Sequence, residues 1–263
     1  MQKNKFQLGL VVPCFNEAER FPLSYWKNLV RIESSIKWIF VDDGSSDLTE
    51  NILKQLCKSS DAKYVKLQLN LGKSNAIREG FHQLVKENPK LKFAGFLDSD
   101  GAFSPEDIRY LATLANNDGN LNPQNSFDVW ISSRVALAGR RIQRKLSRHY
   151  IGRVISTYLT RSWNDSPYDT QSGFKIFRVS GNFLEALEKP FITRWFIDVE
   201  LLTRIAIANN GKLKVWEEPV TSWRDVHGSR ISLSSGLSIL SDLFRTRRQV
   251  KKLIELRGRD GLN

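Results

Sequence analysis

Phe93-Ala-Gly-Phe-Leu-Asp-Ser-Asp100 is a short apolar run that ends in two carboxylates one residue apart, with Gly101 directly after them. Such a run predicts a buried strand that delivers acidic side chains to the edge of a sheet. Open α/β sheets bind their ligands at this edge. Because side chains alternate along a strand, Asp98 and Asp100 would share a face, where they could hold a hard divalent cation that bridges phosphate oxygens. An isolated pair of this kind is also typical of a solvated turn, so its meaning depends on the surrounding sequence.

Apolar runs and amphipathic stretches alternate on both sides of this segment. Strands are predicted at residues 8–12, 37–41, 64–67, 93–97, 127–131, 174–178 and 212–216. Helices are predicted at residues 19–32, 47–58, 74–86 and 195–208, after Pro105, and from Ser232 onward. The basic and apolar segment 137–163 is also predicted to be helical. Alternating strands and helices imply an α/β protein with a doubly wound, mostly parallel sheet and helices on both faces.

Composition limits the classes of protein to which the chain could belong. It has 263 residues, of which 41% are hydrophobic, and this is typical of a globular protein with a sizeable core. Cys14 and Cys57 lack the spacing of a metal site or a disulfide framework, so both are expected to be reduced. No signal-peptide core is present, and no apolar stretch reaches the roughly 18 to 20 residues that span a bilayer. The sequence therefore predicts a cytoplasmic protein without a transmembrane helix, or one bound peripherally to the cytoplasmic face of a membrane.

The formal net charge of +12 implies an acidic partner. Between Arg134 and Arg161 there are eight Arg or Lys residues and no Asp or Glu, and a second basic cluster runs from Arg245 to Arg259. The partner could be a phosphorylated substrate, an anionic membrane surface or a nucleic acid. Acidic residues at the predicted strand ends would repel nucleic-acid phosphates, so no nucleic-acid partner is expected.

Four predicted strand ends carry motifs of polar residues. They are Pro13-Cys-Phe-Asn-Glu17, Asp42-Asp-Gly-Ser-Ser-Asp47, Asn70-Leu-Gly-Lys-Ser74 and Asp98-Ser-Asp100. In a doubly wound sheet such ends converge on one crevice. Taken singly, the second motif is equally typical of a capped turn and the third of an ordinary loop.

Together the four motifs predict a site for a nucleoside diphosphate. Carboxylates after the second strand could accept hydrogen bonds from a base or from ribose hydroxyls. Gly72 allows close backbone approach to a pyrophosphate, Lys73 supplies a positive charge, and the helix that begins near Ser74 would present free N–H groups to the same anion. The glycine patterns of P-loop ATPases and of dinucleotide-binding dehydrogenases are missing, which argues against both classes.

From Leu8 to about Arg248 the chain resembles the family 2 glycosyltransferases, which have the GT-A fold with a Rossmann-like nucleotide-binding half. The motifs that carry the resemblance are VVPCFNE at 11–17, VDDGSSD at 41–47, NLGK at 70–73, DSD at 98–100 and SR at 133–134. Within the family, three segments are most similar to the dolichyl-phosphate glucosyltransferases, relatives of the dolichyl-phosphate mannose synthases. These segments are LDSDGA at 97–102, DTQSGFKIF at 169–177 and RWFIDVELL at 194–202.

The resemblance implies inverting transfer of a hexose from a nucleotide-diphosphate sugar to a polyprenyl phosphate, with Mg²⁺ or Mn²⁺ as the cofactor. Asp100 would be the principal metal ligand, with help from Asp98. Ala102 stands where mannose synthases often carry a glutamine, so a UDP-sugar and glucose are favoured. By position in the motifs, the donor would be bound by Pro13, Asn16, Glu17, Asp42, Asp43, Gly72, Lys73 and Asp98.

The same resemblance assigns residues to the acceptor. Arg134 and Arg148 match two arginines that hold the lipid phosphate in the mannose synthase relatives. Ser229 and Arg230 lie in a segment that closes over the donor in related enzymes, and they are assigned to the acceptor side. The alternative interpretation of residues 137–161 is a solvated basic helix.

A saccharide hydroxyl is the alternative acceptor, as in polysaccharide or glycoconjugate assembly. A phosphate dianion is already nucleophilic, whereas a hydroxyl needs a general base, for which Asp198 is the candidate. The alternative role of Asp198 is an ion pair on a helix face.

Residues 1–230 are predicted to form the catalytic domain and residues 231–263 an amphipathic helix with a basic tail. The apolar positions Leu233, Leu237, Leu240 and Phe244 follow helical spacing. The helix would pack on the catalytic domain or on a membrane surface. Each basic residue after it would contribute roughly 1 kcal/mol near an anionic leaflet.

Overall fold

A seven-stranded sheet forms the centre of the computed structural model, which describes residues 7–118, 126–144, 150, 152–155, 157–158, 167–225 and 236–260. The strands of this sheet are β1 (Leu8–Cys14), β2 (Lys37–Asp42), β3 (Lys63–Lys66), β4 (Phe93–Leu97), β5 (Val129–Ser133), β7 (Phe174–Arg178) and β8 (Val215–Pro219). Two short strands, β6 (Arg141–Gln143) and β9 (Ser222–Arg224), pair in a second sheet.

Helices cover both faces of the large sheet. They are α1 (Leu23–Ile32), α2 (Thr49–Lys58), α3 (Lys73–Glu87), α4 (Pro105–Asp118), α5 (Gly181–Glu188), α6 (Ile197–Ala208) and α7 (Gly236–Asp260). Residues 152–155 are helical as well.

The strand order is β3-β2-β1-β4-β7-β5-β8. The strands run parallel except β7, which is antiparallel to β4 and to β5. This mostly parallel sheet between helices confirms the α/β class predicted from the alternating pattern. Because β1, β2 and β4 are parallel neighbours, their carboxyl ends lie side by side at one edge of the sheet.

Two apolar cores fill the space between the sheet and its helices. Strands β1, β2 and β4 are buried on both faces, which explains why they are nearly continuous apolar runs. On one face Trp26 of α1 is fully buried, and its ring lies 5.8 Å from the Trp38 ring and 5.1 Å from the Phe40 ring in edge-on contacts. On the other face α3, α5 and α6 pack over the sheet around Phe81 and Phe177.

The prediction of a helix over residues 137–163 is wrong for residues 137–144, which are not helical, and residues 141–143 among them form β6. This strand pairs with β9, and Phe103 bridges to Trp223 beside it. Strands of three residues are too short to show an alternating pattern, so neither was predicted. Helix α5 was also missed, although Ser180 provides a helix-capping signal: its Oγ accepts the N–H of Phe183 at 3.3 Å.

Helix α7 packs against the domain through one face. Asp242, Thr246 and Val250 recur every four residues and are buried. The opposite side is exposed at Phe244 and at basic residues, including Arg248. No helix among the described residues is long and apolar enough to cross a membrane.

Several of the apolar positions predicted for this helix lie outside the described residues. Leu233 lies outside the described residues, and the side chains of Leu237 and Leu240 are outside them as well. The division at residue 230 and the binding of α7 to an anionic membrane therefore stay predictions.

Gly80 provides a test of the packing between α3 and the sheet. A Cβ at this position would lie 2.4 Å from Val11 Cγ1 and 3.1 Å from Val41 Cγ2. We expect Gly80→Ala to lower the free energy of unfolding by about 1–3 kcal/mol, because overpacking outweighs the gain in helix propensity. Urea denaturation measures the change.

Gly181→Ala is the matched control, because a Cβ at Gly181 of α5 meets nothing within 4 Å. The control should be neutral or slightly stabilising. Equal unfolding free energies for Gly80→Ala and the unsubstituted chain would contradict the close approach of α3 to β1.

Candidate active site

The carboxyl ends of β1, β2 and β4 bring the predicted motifs to one edge of the sheet. Cys14 ends β1, Asp42 ends β2, and Asp98 follows the last residue of β4. Cys14 and Asp42 are register partners, and the N–H of Asp43 donates to the Cys14 carbonyl at 2.8 Å. The crevice expected from the topology is therefore built on adjacent strands.

Asp98 lies between a lysine and a glycine from two other parts of the chain. Lys73 is the first residue of α3, and its Nζ lies 2.5 Å from Asp98 Oδ1. On the other side, the Asp98 N–H donates to the Gly173 carbonyl at 2.9 Å, and a Cβ on Gly173 would lie 2.2 Å from Asp98 Oδ2. The antiparallel strand β7 thus begins directly against this carboxylate, and only glycine fits there.

Asp100 lies in a tight turn after β4. Its Oδ1 accepts the N–H of Ala102 at 3.0 Å, and Gly101 between them has φ +68°. Burial, together with the charge of Asp98, raises the pKa of Asp100 to about 6. Two carboxylates separated by one residue are a suitable set of oxygen ligands for a hard divalent cation.

The described residues contain no group of three or more His, Cys, Asp or Glu side chains placed to hold a metal ion. A cation at Asp98 and Asp100 would therefore take further oxygen ligands from a bound molecule or from water. Phosphate oxygens suit this arrangement, because Mg²⁺ is commonly held by one or two carboxylates and substrate phosphates.

Asp42 and Asp43 hold the loops around the crevice. Asp43 accepts the N–H groups of Leu71 and Gly72 at 2.7 and 2.9 Å, while Asp42 accepts the N–H of Ser45 at 2.9 Å. Burial raises the pKa of Asp43, and the two N–H groups partly oppose this. Asp43 therefore fixes the loop that leads into Lys73. A contact of either carboxylate with a base or ribose stays a prediction.

The residues after β1 are braced by the loop after β2. Asn16 has φ +48°, and its Oδ1 accepts the N–H of Ser46 at 2.8 Å. Glu17 is buried and forms a two-bonded ion pair with Arg20, with both distances 2.6 Å. Pro13 lies near the end of β1 and is half-buried. These residues line the same sheet edge as Asp98.

The start of α3 differs in one respect from the sequence prediction. The N–H of Ser74 donates to the carbonyl of Arg194 at 3.1 Å, so one of the N–H groups expected to be free is occupied. Gly72 has φ +87°, the left-handed region expected where only glycine allows a close backbone approach.

Arg134 follows β5 and forms a buried fork with Asp169. Its Nε donates to Asp169 Oδ2 and one terminal nitrogen donates to Oδ1, both at 2.7 Å. The backbone N–H of Arg134 also donates to Asp169 Oδ2, at 2.9 Å. Burial alone would raise the pKa of Asp169, but the bonds and charge of Arg134 hold it at about 2. Glu217 of β8 in turn accepts the N–H groups of Tyr168 and Asp169, both at 2.7 Å.

The other residues assigned to the acceptor cannot be placed. Arg148, Ser229 and Arg230 lie outside the described residues. Sequence reasoning missed Asp169 and Glu217 as partners of Arg134, although Asp169 opens one of the segments that resemble the glucosyltransferases.

Asp198 lies in the first turn of α6 and is buried in an ion pair with Lys175 of β7. Lys175 Nζ lies 2.6 Å from Asp198 Oδ1 and 2.5 Å from the Ser172 carbonyl, and the lysine is fully buried. Lys175 was not singled out from the sequence, because a single lysine in an apolar strand carries no local signal of its partner. A role of Asp198 as a general base stays a prediction.

A cavity of about 350 Å³ opens beside Gly101 and Ala102, the two residues that follow Asp100. Its lining includes Tyr25, Phe103 and Trp223 together with Arg141 and Arg224. The guanidinium carbon of the arginine that follows β5 lies 5.1 Å from the centre of the Trp223 ring. The cavity therefore adjoins both the acidic turn and the arginine fork.

The comparisons with known proteins agree with this geometry. Residues 10–182 match the sequence model of Glycosyl transferase family 2. Dolichyl-phosphate beta-glucosyltransferase of Homo sapiens is 31% identical over 242 residues, which are 86% of this chain and 69% of the human protein. The enzyme of the same name from Saccharomyces cerevisiae is 27% identical over 243 residues, which are 86% of this chain and 70% of the yeast protein.

Solved structures with a similar fold are more distant in sequence. Glucosyl-3-phosphoglycerate synthase from Mycobacterium tuberculosis, in complex with Mn²⁺, UDP and phosphoglyceric acid, has a TM-score of 0.62 at 15% identity, over 91% of this chain and 78% of its own. A mannosyltransferase from Pyrobaculum calidifontis, in complex with GDP-Man and Mn²⁺, has a TM-score of 0.57 at 14% identity, over 95% and 68%. At these identities the likeness shows the fold, which is the GT-A fold expected from the sequence.

The segment matched by the family model contains the acidic turn after β4, the lysine that begins α3 and the arginine that follows β5. These are the strand ends and the helix start from which the crevice is built. The chain therefore belongs to glycosyl transferase family 2 and is a glycosyltransferase.

Proposed function

We propose that this glycosyltransferase moves glucose from UDP-glucose to a polyprenyl phosphate of the dolichyl type, with Mg²⁺ or Mn²⁺ bound at Asp98 and Asp100. The observation that carries the proposal is the acidic turn after β4 facing Lys73, with Nζ 2.5 Å from Asp98 Oδ1. Similarity to dolichyl-phosphate beta-glucosyltransferases over most of the chain supports the sugar and the acceptor.

Opposite charges in the crevice would position the donor. Lys73 would contact the diphosphate as a point charge, since its ammonium already lies at the acidic turn. Asp98 and Asp100 would hold the cation, which offsets negative charge on the departing nucleoside diphosphate. Asp43 acts indirectly, because it fixes the backbone of Leu71 and Gly72 next to Lys73.

The acceptor phosphate would approach from the side of Arg134. An oxygen of the phosphate attacks the anomeric carbon, the bond from that carbon to the diphosphate breaks, and UDP leaves with the electron pair. A phosphate dianion needs no base, so orientation is the main requirement. Asp169 binds Nε and one terminal nitrogen of Arg134 and so holds the guanidinium in one orientation.

Transfer to a saccharide hydroxyl is the second candidate, with Asp198 as the base. Asp198 Oδ1 is engaged by the buried Lys175 at 2.6 Å. A carboxylate in such a pair is poorly placed to receive a proton from a substrate hydroxyl, which must come within hydrogen-bond distance. This geometry favours the phosphate acceptor.

Asp100→Asn tests the metal site. We expect UDP binding in the presence of Mn²⁺ to weaken by at least about tenfold, because one anionic oxygen ligand is lost. UDP binding without metal should change little. Isothermal titration calorimetry with and without Mn²⁺ measures both affinities.

Asp61→Asn is the control for this substitution, since it removes a carboxylate at an exposed position. It should leave both affinities unchanged. Retention of metal-dependent UDP binding by Asp100→Asn would contradict the assignment of Asp100 as a metal ligand.

Arg134→Lys tests the acceptor site. Lysine keeps the charge and loses the planar fork, so we expect the KM for a short-chain polyprenyl phosphate to rise about tenfold or more. The KM for UDP-glucose should stay the same. Steady-state assays that vary each substrate separate the two constants.

Arg109→Lys is the control, because two nitrogens of Arg109 on α4 also contact a carboxylate, through Oε1 of Glu33 directly after α1. It should not change either KM. A saccharide acceptor would be indicated if Asp198→Asn abolished transfer while Arg134→Lys did not.

Asp169→Asn tests the fork between Arg134 and Asp169 through the pH dependence of the unfolding free energy. The pKa of Asp169 is about 2 in the folded protein, below its ordinary value of 3.8, so ionised Asp169 stabilises the fold above pH 4. We expect the substitution to cost about 2 kcal/mol of unfolding free energy at pH 6. The difference from the unsubstituted protein should shrink as pH falls from about 4 to about 2.

Urea denaturation at several pH values measures this difference. A constant difference between pH 6 and pH 2 would contradict the assigned pairing of Asp169 with Arg134.

A further inference from the structure

Residues 191–194, which we call the bridge segment, lie between the C-terminal helix α7 and the start of α3. The segment follows α5 and leads into α6. It contributes no side chain to the roles proposed above. Its backbone nevertheless bonds to both helices, and these contacts connect a late part of the chain with the donor side of the crevice.

Helix α7 holds the end of the bridge segment through Asp242. The Arg194 N–H donates to Asp242 Oδ2 at 2.8 Å, and the N–H of Trp195 bonds to the same carboxylate. Asp242 is only 3% exposed. Because a buried carboxylate without donors is costly, Asp242 constrains where the N–H of residue 194 can lie.

A second contact secures the middle of the bridge segment. The buried carboxylate of Glu200 accepts the N–H groups of Ile192 and Thr193, both at 3.0 Å. Gln249 of α7 donates to Glu200 Oε1 at 3.2 Å. The segment is therefore held by Asp242 of α7 at its end and by Glu200 of α6 in its middle, and Gln249 of α7 supports Glu200.

The other side of the bridge segment holds the first turn of α3. The Ser74 N–H donates to the Arg194 carbonyl at 3.1 Å. Asn75 and Phe191 exchange two bonds: Asn75 Nδ2 donates to the Phe191 carbonyl at 3.2 Å, and the Phe191 N–H donates to Asn75 Oδ1 at 2.8 Å. The bridge segment thus fixes the backbone on the C-terminal side of Lys73.

The residue before Lys73 is also packed against the bridge segment. A Cβ on Gly72 would lie 2.9 Å from Arg194 Cβ, and the Arg194 guanidinium donates to the Asn70 carbonyl at 3.2 Å. Movement of residue 194 would therefore shift the backbone on both sides of Lys73.

We propose that Asp242 is a positioning residue for donor binding: through the bridge segment it fixes the backbone of residues 72–75 and so the direction in which Lys73 presents its ammonium to the diphosphate. The inference rests on the proposed function, because it takes Lys73 as a diphosphate contact. It assigns a role in the crevice to a residue of the C-terminal helix, which sequence analysis placed outside the catalytic domain. A lysine that must be held in one direction loses much of its binding contribution when its backbone support moves.

The test compares a ligand with the diphosphate and one without it. Asp242→Ala should weaken UDP binding in the presence of Mn²⁺ by about tenfold. This is the loss expected when the charge-assisted bond from Lys73 to the diphosphate is no longer formed. Binding of uridine, which has no phosphate, should not change. Calorimetry measures UDP binding, and ligand-observed NMR measures uridine binding.

Glu255→Ala is the matched control, because it also removes a carboxylate from α7, at an exposed position. It should leave both affinities unchanged. Asp242→Asn keeps one acceptor oxygen and should recover part of the UDP affinity. If Asp242→Ala does not fold, Asn75→Ala removes the two hydrogen bonds between α3 and Phe191 of the bridge segment. This variant should show the same selective loss of UDP affinity.

The outcomes separate this inference from the function on which it rests. Failure of the unsubstituted protein to bind UDP would overturn both. Normal UDP binding by folded Asp242→Ala or Asn75→Ala, or equal losses for UDP and uridine, would overturn the inference alone.

Discussion

Burial of charge near one edge of the sheet is the constraint on which the site depends. Carboxylates placed there must be paired with a cation or accept hydrogen bonds, because a buried charge without a partner costs several kcal/mol. Each of three carboxylates is paired with a cation from another element. The pairs are Asp98 with Lys73, Asp169 with Arg134 and Asp198 with Lys175. These pairs join α3, the end of β5, the start of β7 and α6 around a single crevice.

Asp100 differs from these three carboxylates. Within the described part of the chain it forms no ion pair, and its pKa is raised to about 6 by burial and by the charge of Asp98. Asp98, Asp169 and Asp198 each have a lysine or arginine partner, whereas Asp100 accepts the N–H of Ala102. This difference supports the proposal that an external cation binds at the acidic turn.

The support of the crevice extends beyond the strand ends. Lys73 is held by the loop that Asp43 binds on one side and by residues 191–194 on the other. Those residues in turn bond to Asp242 of α7. The C-terminal helix is therefore connected to the donor side by a chain of hydrogen bonds that begins at the buried carboxylate of Asp242.

The sequence by itself determined the strands of the large sheet, its helices except α5, and the motifs at its strand ends, including Asp98, Asp100 and Lys73. These features depend on local periodicity and on residues that follow directly after apolar runs. Only the tertiary structure decided the partners: Lys175 for Asp198, Asp169 for Arg134, and the bonds from α7 to the start of α3. It also decided β6 and β9, whose three residues each are too few to show a period. Ion pairs and backbone hydrogen bonds of this kind join residues far apart in the chain, and no local pattern records which of them meet.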